Sequence, residues 1–133
     1  MQKTYLWVIL VIAAVLRLSL ACSAWSEPKR YFTPDSYDYD ALAHSLLESG
    51  RFARVGSPEI FRTPGYPVFL AGIYALTGNS IHAVVIVQAF LDVLLCYLVF
   101  RLGRMLFSEA VGLVAAAIQA ISPLMIAYCC RIS

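Results

Sequence analysis

Residues 80–107, SIHAVVIVQAFLDVLLCYLVFRLGRMLF, form an apolar run that decides the class of the chain. A hydrocarbon core of about 30 Å takes roughly 20 helical residues. This run exceeds that length before Arg101 and Arg104 close it at a basic end, and a single acid, Asp92, lies inside it. The whole chain agrees: of 133 residues, 61% are hydrophobic and 14% charged, against roughly half and a quarter in soluble domains. A chain of this length has room for one soluble domain. Its apolar residues instead sit in runs too long and too charge-free for core helices. The net charge of +2, with basic residues scattered, excludes a nucleic-acid partner.

Working outward, residues 110–130 make a second span, with Pro123 late enough to act as a kink. Ser108 and Glu109 form the turn between the two. On the other side, residues 63–78, TPGYPVFLAGIYALTG, are apolar but too short to cross comfortably. Pro64 and Pro67 are tolerated only at a helix start, so residues 64–77 read as a juxtamembrane helix. Residues 5–24, YLWVILVIAAVLRLSLACSA, form another span, interrupted by Arg17. A cleaved signal peptide is the competing reading. It is disfavoured because Lys3 alone charges the n-region, and Ser19 stands where a lipoprotein box usually carries a large aliphatic residue.

Between these runs lies the one polar loop, residues 25–79. Its first part, residues 25–62, holds six acidic and five basic residues. Within it Tyr39, Leu42, Ala43, Leu46 and Leu47 recur on one helical face. Gly50 supplies a stop. Residues 35–49 thus predict an amphipathic helix on the membrane surface. The basic residues flanking the spans give no clear orientation: Lys3, Arg101 and Arg104 fall on one side, and the five of the loop on the other. Cys22, Cys96, Cys129 and Cys130 lack metal-ligand spacing and read as small apolar residues.

Three features bear on chemistry. Asp35 begins the surface helix; its plain reading is a cap, and its functional reading is a general base or a metal ligand at the interface. Asp38 is near it, whereas Asp40 falls on another face. Arg62, directly before the Pro-started helix, has the forked donors that hold a phosphate, or else snorkels at the interface. Gln88 and Asp92, one turn apart inside a span, predict a structural contact to a neighbouring helix, with Arg17 the natural partner for Asp92. His44 and His82 are isolated and predict no ligand role.

The order of one span, PDSYDYDALAHSLLESGRF, FRTPGYPVFLAGIYALTG, QAFLDVLLCYLVFRLGRMLF and VGLVAAAIQAISPLMIAY resembles the N-terminal part of the GT-C fold glycosyltransferases. The closest branch is the dolichyl-phosphate-mannose protein mannosyltransferase group, which includes bacterial aminoarabinose transferases for lipid A. The resemblance implies an all-α integral membrane protein with about three transmembrane helices and two juxtamembrane helices in a first external loop. That loop would face the periplasm or cell exterior, in a bacterial inner membrane. Asp35 matches the family's catalytic acid and Arg62 its contact to the carrier phosphate. The implied reaction is transfer of a sugar from a polyprenyl-phosphate donor to a protein, lipid or glycan acceptor with inversion. A divalent cation is the one cofactor admitted, with Asp35 its candidate ligand. Relatives are several times longer, so the chain reads as a fragment, inactive without its remaining transmembrane helices. Two alternatives compete: a small non-enzymatic membrane protein that binds a lipid phosphate or a partner membrane protein, and a piece of a flippase for lipid-linked sugars.

Overall fold

The computed structural model describes residues 2–54 and 57–132 of the chain. Its helices are α1 (Gln2–Ser23), α2 (Ser36–Ser49), α3 (Gly65–Thr77), α4 (Ile81–Leu106), α5 (Glu109–Ile121) and α6 (Pro123–Cys129). A 3-10 turn covers Pro28–Tyr31, and two-residue strands β1 (Ala53–Arg54) and β2 (Ser57–Pro58) pair antiparallel. The side chain of Lys3, one of the residues in the orientation count, lies outside the described ones. The chain divides into two compact units, Met1–Trp25 with Ile86–Cys130, and Ser26–Val85 with Arg131–Ser133.

The first unit is the apolar one. Among the described residues two helices are long and apolar enough to cross a membrane, α1 over 20 residues from Thr4 and α4 over its 26; α5 with α6 makes a third span if that bent pair crosses as one. The chain is thus an all-α integral membrane protein apart from the small β-ribbon. Large side chains such as Trp7, Val11, Phe90 and Leu94 point outward. Most of its buried side chains are small, and Ala13, Cys96 and Ala120 cluster together, bordered by Ile9, Leu10 and Val93. This inversion of a soluble core fits a lipid solvent, in which helices associate by close packing of small residues rather than by the hydrophobic effect. Gly103 and Gly112 carry it furthest. A Cβ on Gly112 would stand 2.6 Å from the Phe100 carbonyl oxygen, and one on Gly103 2.8 Å from the Gly112 Cα. The two helices therefore touch backbone to backbone.

The expected kink at Pro123 is instead a break. α5 ends at Ile121, α6 starts at Pro123, and the two diverge by 59°. The cause is local. Proline pushes the preceding residue out of the helical region, and Ser122 sits at φ −62°, ψ 116°. Proline also has no N–H, so the Gln119 carbonyl loses the donor four residues on. Arg17, fully buried, supplies donors there: Nη2 to the Gln119 carbonyl at 3.2 Å and Nη1 to the Ala120 carbonyl at 2.9 Å. Nη1 also reaches the Ala13 carbonyl of its own helix at 3.1 Å. Nε pairs with Asp92, the partner expected from sequence. The turn between α4 and α5 is Phe107 and Ser108, one residue earlier than anticipated, because Glu109 is already helical. Ser108 caps α5 by accepting from the Val111 N–H.

The second unit packs α2 against α3. α2 buries Ser36, Leu42 and Ala43; α3 buries Pro67, Leu70, Ala71 and Tyr74. The latter positions repeat at i, i+3, i+4 and i+7, one helical stripe. Fully burying each large apolar side chain contributes about 1.5–3 kcal/mol. Pro67 lies in the first turn of α3, where the N–H it lacks would have no partner. Gly50 and Gly78 end their helices at φ 66° and 68°, the left-handed caps that non-glycine residues adopt only with strain. The chain end returns to this unit. Ile132 donates its N–H to the Tyr31 carbonyl at 2.9 Å, and its own carbonyl accepts from Ser36 Oγ.

Two outcomes are expected of purified protein in detergent. Asp92→Leu strands a buried guanidinium and lowers unfolding free energy by about 3–5 kcal/mol. The Arg17→Leu/Asp92→Leu pair loses less than the two single changes summed, and equal or additive losses would refute the coupling. Gly112→Leu forces α4 and α5 apart and costs about 1–3 kcal/mol, readable as a lowered melting temperature. An unchanged melt would show that the close approach does not matter.

Candidate functional site

The polar unit concentrates its charges at the start of α2 and in the segment leading into α3. Asp35 occupies the cap position of α2 at φ −72°, ψ −24°, yet its side chain makes no capping bond. Its Oδ1 instead accepts from Arg62 Nη2 at 2.7 Å. The same nitrogen donates to Asp38 Oδ2 at 3.0 Å. The two residues singled out from sequence, 27 positions apart, are thus in direct contact, and the plain capping reading of Asp35 does not hold.

Further residues complete a ring of alternating charge. Asp38 also takes Arg54, whose Nε lies 3.7 Å from Glu59 Oε2. Glu59 Oε1 in turn accepts the backbone N–H of Phe61 at 2.8 Å and of Arg62 at 3.3 Å. The segment carrying Arg62 is therefore held by its own acid. The Arg62 guanidinium also lies over the Tyr39 ring at 5.1 Å, and Tyr39 meets Tyr66 edge-on at 5.3 Å. Cation–π contact of this kind orients a planar guanidinium without using its N–H donors. A guanidinium carries five such donors, and both carboxylates here use Nη2.

Arg62 holds the Asp35 carboxyl below the usual carboxylate range, first by its hydrogen bond and then by its charge. Glu59 is lowered too, chiefly by the Phe61 N–H. Arg62 is raised, with Asp35 the main cause. All three are ionised at neutral pH. The Asp35 side chain is nevertheless 64% exposed. Immediately before Arg62, Ile60 and Phe61 are 79% and 89% exposed. The arrangement thus offers an open carboxylate beside a guanidinium, flanked by bare apolar side chains.

Other polar residues fall elsewhere. Asp40 accepts from the buried Tyr74 hydroxyl at 2.7 Å, and His44 stacks near the same ring at 5.5 Å, a tie between α2 and α3. Burial, then Asp40, drives the Tyr74 hydroxyl well above its ordinary pKa. His82 meets the Tyr31 ring edge-on. For a divalent cation, Asp35 offers one carboxylate already engaged by Arg62. Among the described residues no group of three or more His, Cys, Asp or Glu is placed to hold a metal ion. A cation at Asp35 would need oxygens from a bound ligand to complete its shell.

Sequence reading missed Arg54 and Glu59, which carry no local pattern. Asp38 was within reach, since three residues from Asp35 on a helix is the same face.

A protein-family model described as dolichyl-phosphate-mannose-protein mannosyltransferase matches residues 61–132, more than half of the chain, beginning just before Arg62. No curated protein and no solved structure matches.

The Asp35 shift gives a signed pH expectation. A carboxylate lowered in the folded state contributes stability that is complete above its ordinary value of 3.8 and is lost as pH falls through the lower folded value. Carboxyl NMR should therefore show Asp35 titrating below 3.8, and back near it in Arg62→Gln. Identical curves in the two proteins would contradict the contact.

Proposed function

The chain belongs to the dolichyl-phosphate-mannose-protein mannosyltransferase family, and from that premise we propose that it carries the acid–base and phosphate-binding loop of a membrane glycosyltransferase. The family's activity is glycosyl transfer of the mannosyl kind. The donor we assign is a polyprenyl-phosphate sugar, and the acceptor a hydroxyl of a protein, lipid or glycan. We assign the loop to the periplasmic side of a bacterial inner membrane.

The supporting observation is the Asp35–Arg62 contact of 2.7 Å beside exposed Ile60 and Phe61. A lipid-linked donor presents a phosphate at the boundary of water and hydrocarbon. A guanidinium among bare apolar side chains meets both parts of such a molecule. In the reaction the acceptor oxygen bonds to the anomeric carbon as the bond from that carbon to the phosphate oxygen breaks. The electron pair leaves with the polyprenyl phosphate, the acceptor proton passes to Asp35, and attack opposite the leaving group inverts the anomeric centre.

The Arg62 contact gives this sequence an internal logic. While Arg62 is bonded to Asp35, the carboxylate is a weak base. When the guanidinium turns its donors to the charge growing on the leaving phosphate, Asp35 loses the partner that lowers its pKa. The base thus strengthens as the leaving group departs. Asp38 and Tyr39 keep the guanidinium in place during the exchange. Asp35 is the residue that would hold a divalent cation, which would supply charge stabilisation to the leaving phosphate.

Transfer assays in membranes from cells carrying the gene in its native context test the assignment. Asp35→Asn should slow turnover by roughly 10²–10⁴-fold with little change in donor KM. Arg62→Gln should raise donor KM as well as lower turnover. Wild-type transfer by the Asp35→Asn protein would remove Asp35 from the mechanism.

A further inference from the structure

A second charged feature lies in the apolar unit and takes no part in the loop chemistry. A groove of about 880 Å³ opens between the N-terminal half of α1 and the C-terminal half of α4. Trp7 and Leu10 form one wall, Leu98 and Leu102 the other, and Arg101 and Arg104 sit on its rim. From this groove we infer a binding site for one anionic glycerophospholipid, its phosphate on Arg101 and Arg104 and an acyl chain between the walls.

Several observations favour that occupant. The groove lies at the end of α1 that precedes the span and the end of α4 that follows it. Its lining shares no residue with the Asp35–Arg62 site. The walls are apolar and open: Trp7 is 67% exposed, Leu98 51% and Leu102 53%. Tryptophan at a span end sits at headgroup level, where its ring touches hydrocarbon and its N–H meets water. Arg101 is pre-oriented, with Nη1 donating to the Tyr97 hydroxyl 3.1 Å away and its guanidinium 5.9 Å from that ring. Glu109 also lines the groove; with one acid against two guanidinium groups the rim keeps a positive balance. A neighbouring apolar helix would fill the walls but offer nothing to the two arginines, whereas a phosphate diester with acyl chains answers both. Basic pockets between helices at a membrane face bind such headgroups, at about one kcal/mol per basic side chain, a factor of about five each.

Native mass spectrometry of the purified chain in detergent, with added phosphatidylglycerol or phosphatidylcholine, tests the site. One phosphatidylglycerol should be retained in preference to phosphatidylcholine. Arg101→Gln/Arg104→Gln should weaken it by roughly 30-fold. Leu98→Trp, which keeps both arginines but fills the groove at an exposed position, should also exclude it. Lys29→Gln/Arg30→Gln removes the same charge from the polar unit and should leave binding intact. Equal retention of the two lipids would overturn the inference, as would an effect of the Lys29/Arg30 pair matching that of Arg101/Arg104, or undiminished binding in Leu98→Trp. Polyprenyl phosphate displacing phosphatidylglycerol at equal concentration would overturn the choice of a glycerophospholipid.

Discussion

One guanidinium holds the membrane unit together. Arg17 is fully buried among helices that offer it lipid on their outer faces and little else within. A lone cation in that setting would cost several kcal/mol, but Arg17 has five donors and a matched set of acceptors. Asp92 on α4 supplies the counter-charge, and carbonyls of Ala13, Gln119 and Ala120 take further donors. The last two are where Pro123 interrupts α5. The break and the arginine are complementary: the proline frees acceptors that the arginine needs, and the arginine satisfies carbonyls that could not otherwise persist in hydrocarbon. Three helices are thereby joined by one side chain, and the small residues around it let them approach.

The polar unit solves a related problem in water. Arg62 and Arg54 alternate with Asp35, Asp38 and Glu59, so each acid has a cation and each cation at least two acids. Exposed pairs of this sort add little stability singly. Their contribution here is position: they fix where one carboxylate and one guanidinium stand relative to each other. The Arg17 cluster is centred on a buried guanidinium, and its partners are committed. The loop ring is open at Asp35, and its guanidinium can trade one anion for another. The same chemical pair serves to lock in one place and to exchange in the other.

Much of this was legible in the sequence because the bilayer imposes a length and a polarity that few other environments do. The runs at 5–24 and 80–107 gave α1 and α4 directly, and Asp92 inside an apolar run called for a cation, with Arg17 the one available within a span. The helical stripe of Leu42 and Ala43 and the stop at Gly50 likewise marked α2. Pro123 was legible as a perturbation but not as a break. Whether a proline bends or severs a helix depends on what satisfies the freed carbonyls, and that donor is more than a hundred residues away in the chain. Arg54 and Glu59 were illegible for a similar reason. Their pairing follows from a four-residue ribbon with no periodic signal. Asp35 was noticed for its place at a helix start, yet its side chain answers to Arg62 rather than to the helix.

The long sequence separations in the Arg17 cluster have a consequence for biogenesis. Arg17 leaves the ribosome and meets the translocon when its partners do not yet exist. Asp92 follows 75 residues later, and the carbonyls of Gln119 and Ala120 about a hundred. At a synthesis rate of about 5–20 residues per second, that interval is roughly 5–20 seconds. During it the nascent α1 is a marginal anchor with an unmatched charge, best held at the rim of the insertion channel until α4 and α5 arrive. The order of translation thus sets when the first helix is finally committed to lipid.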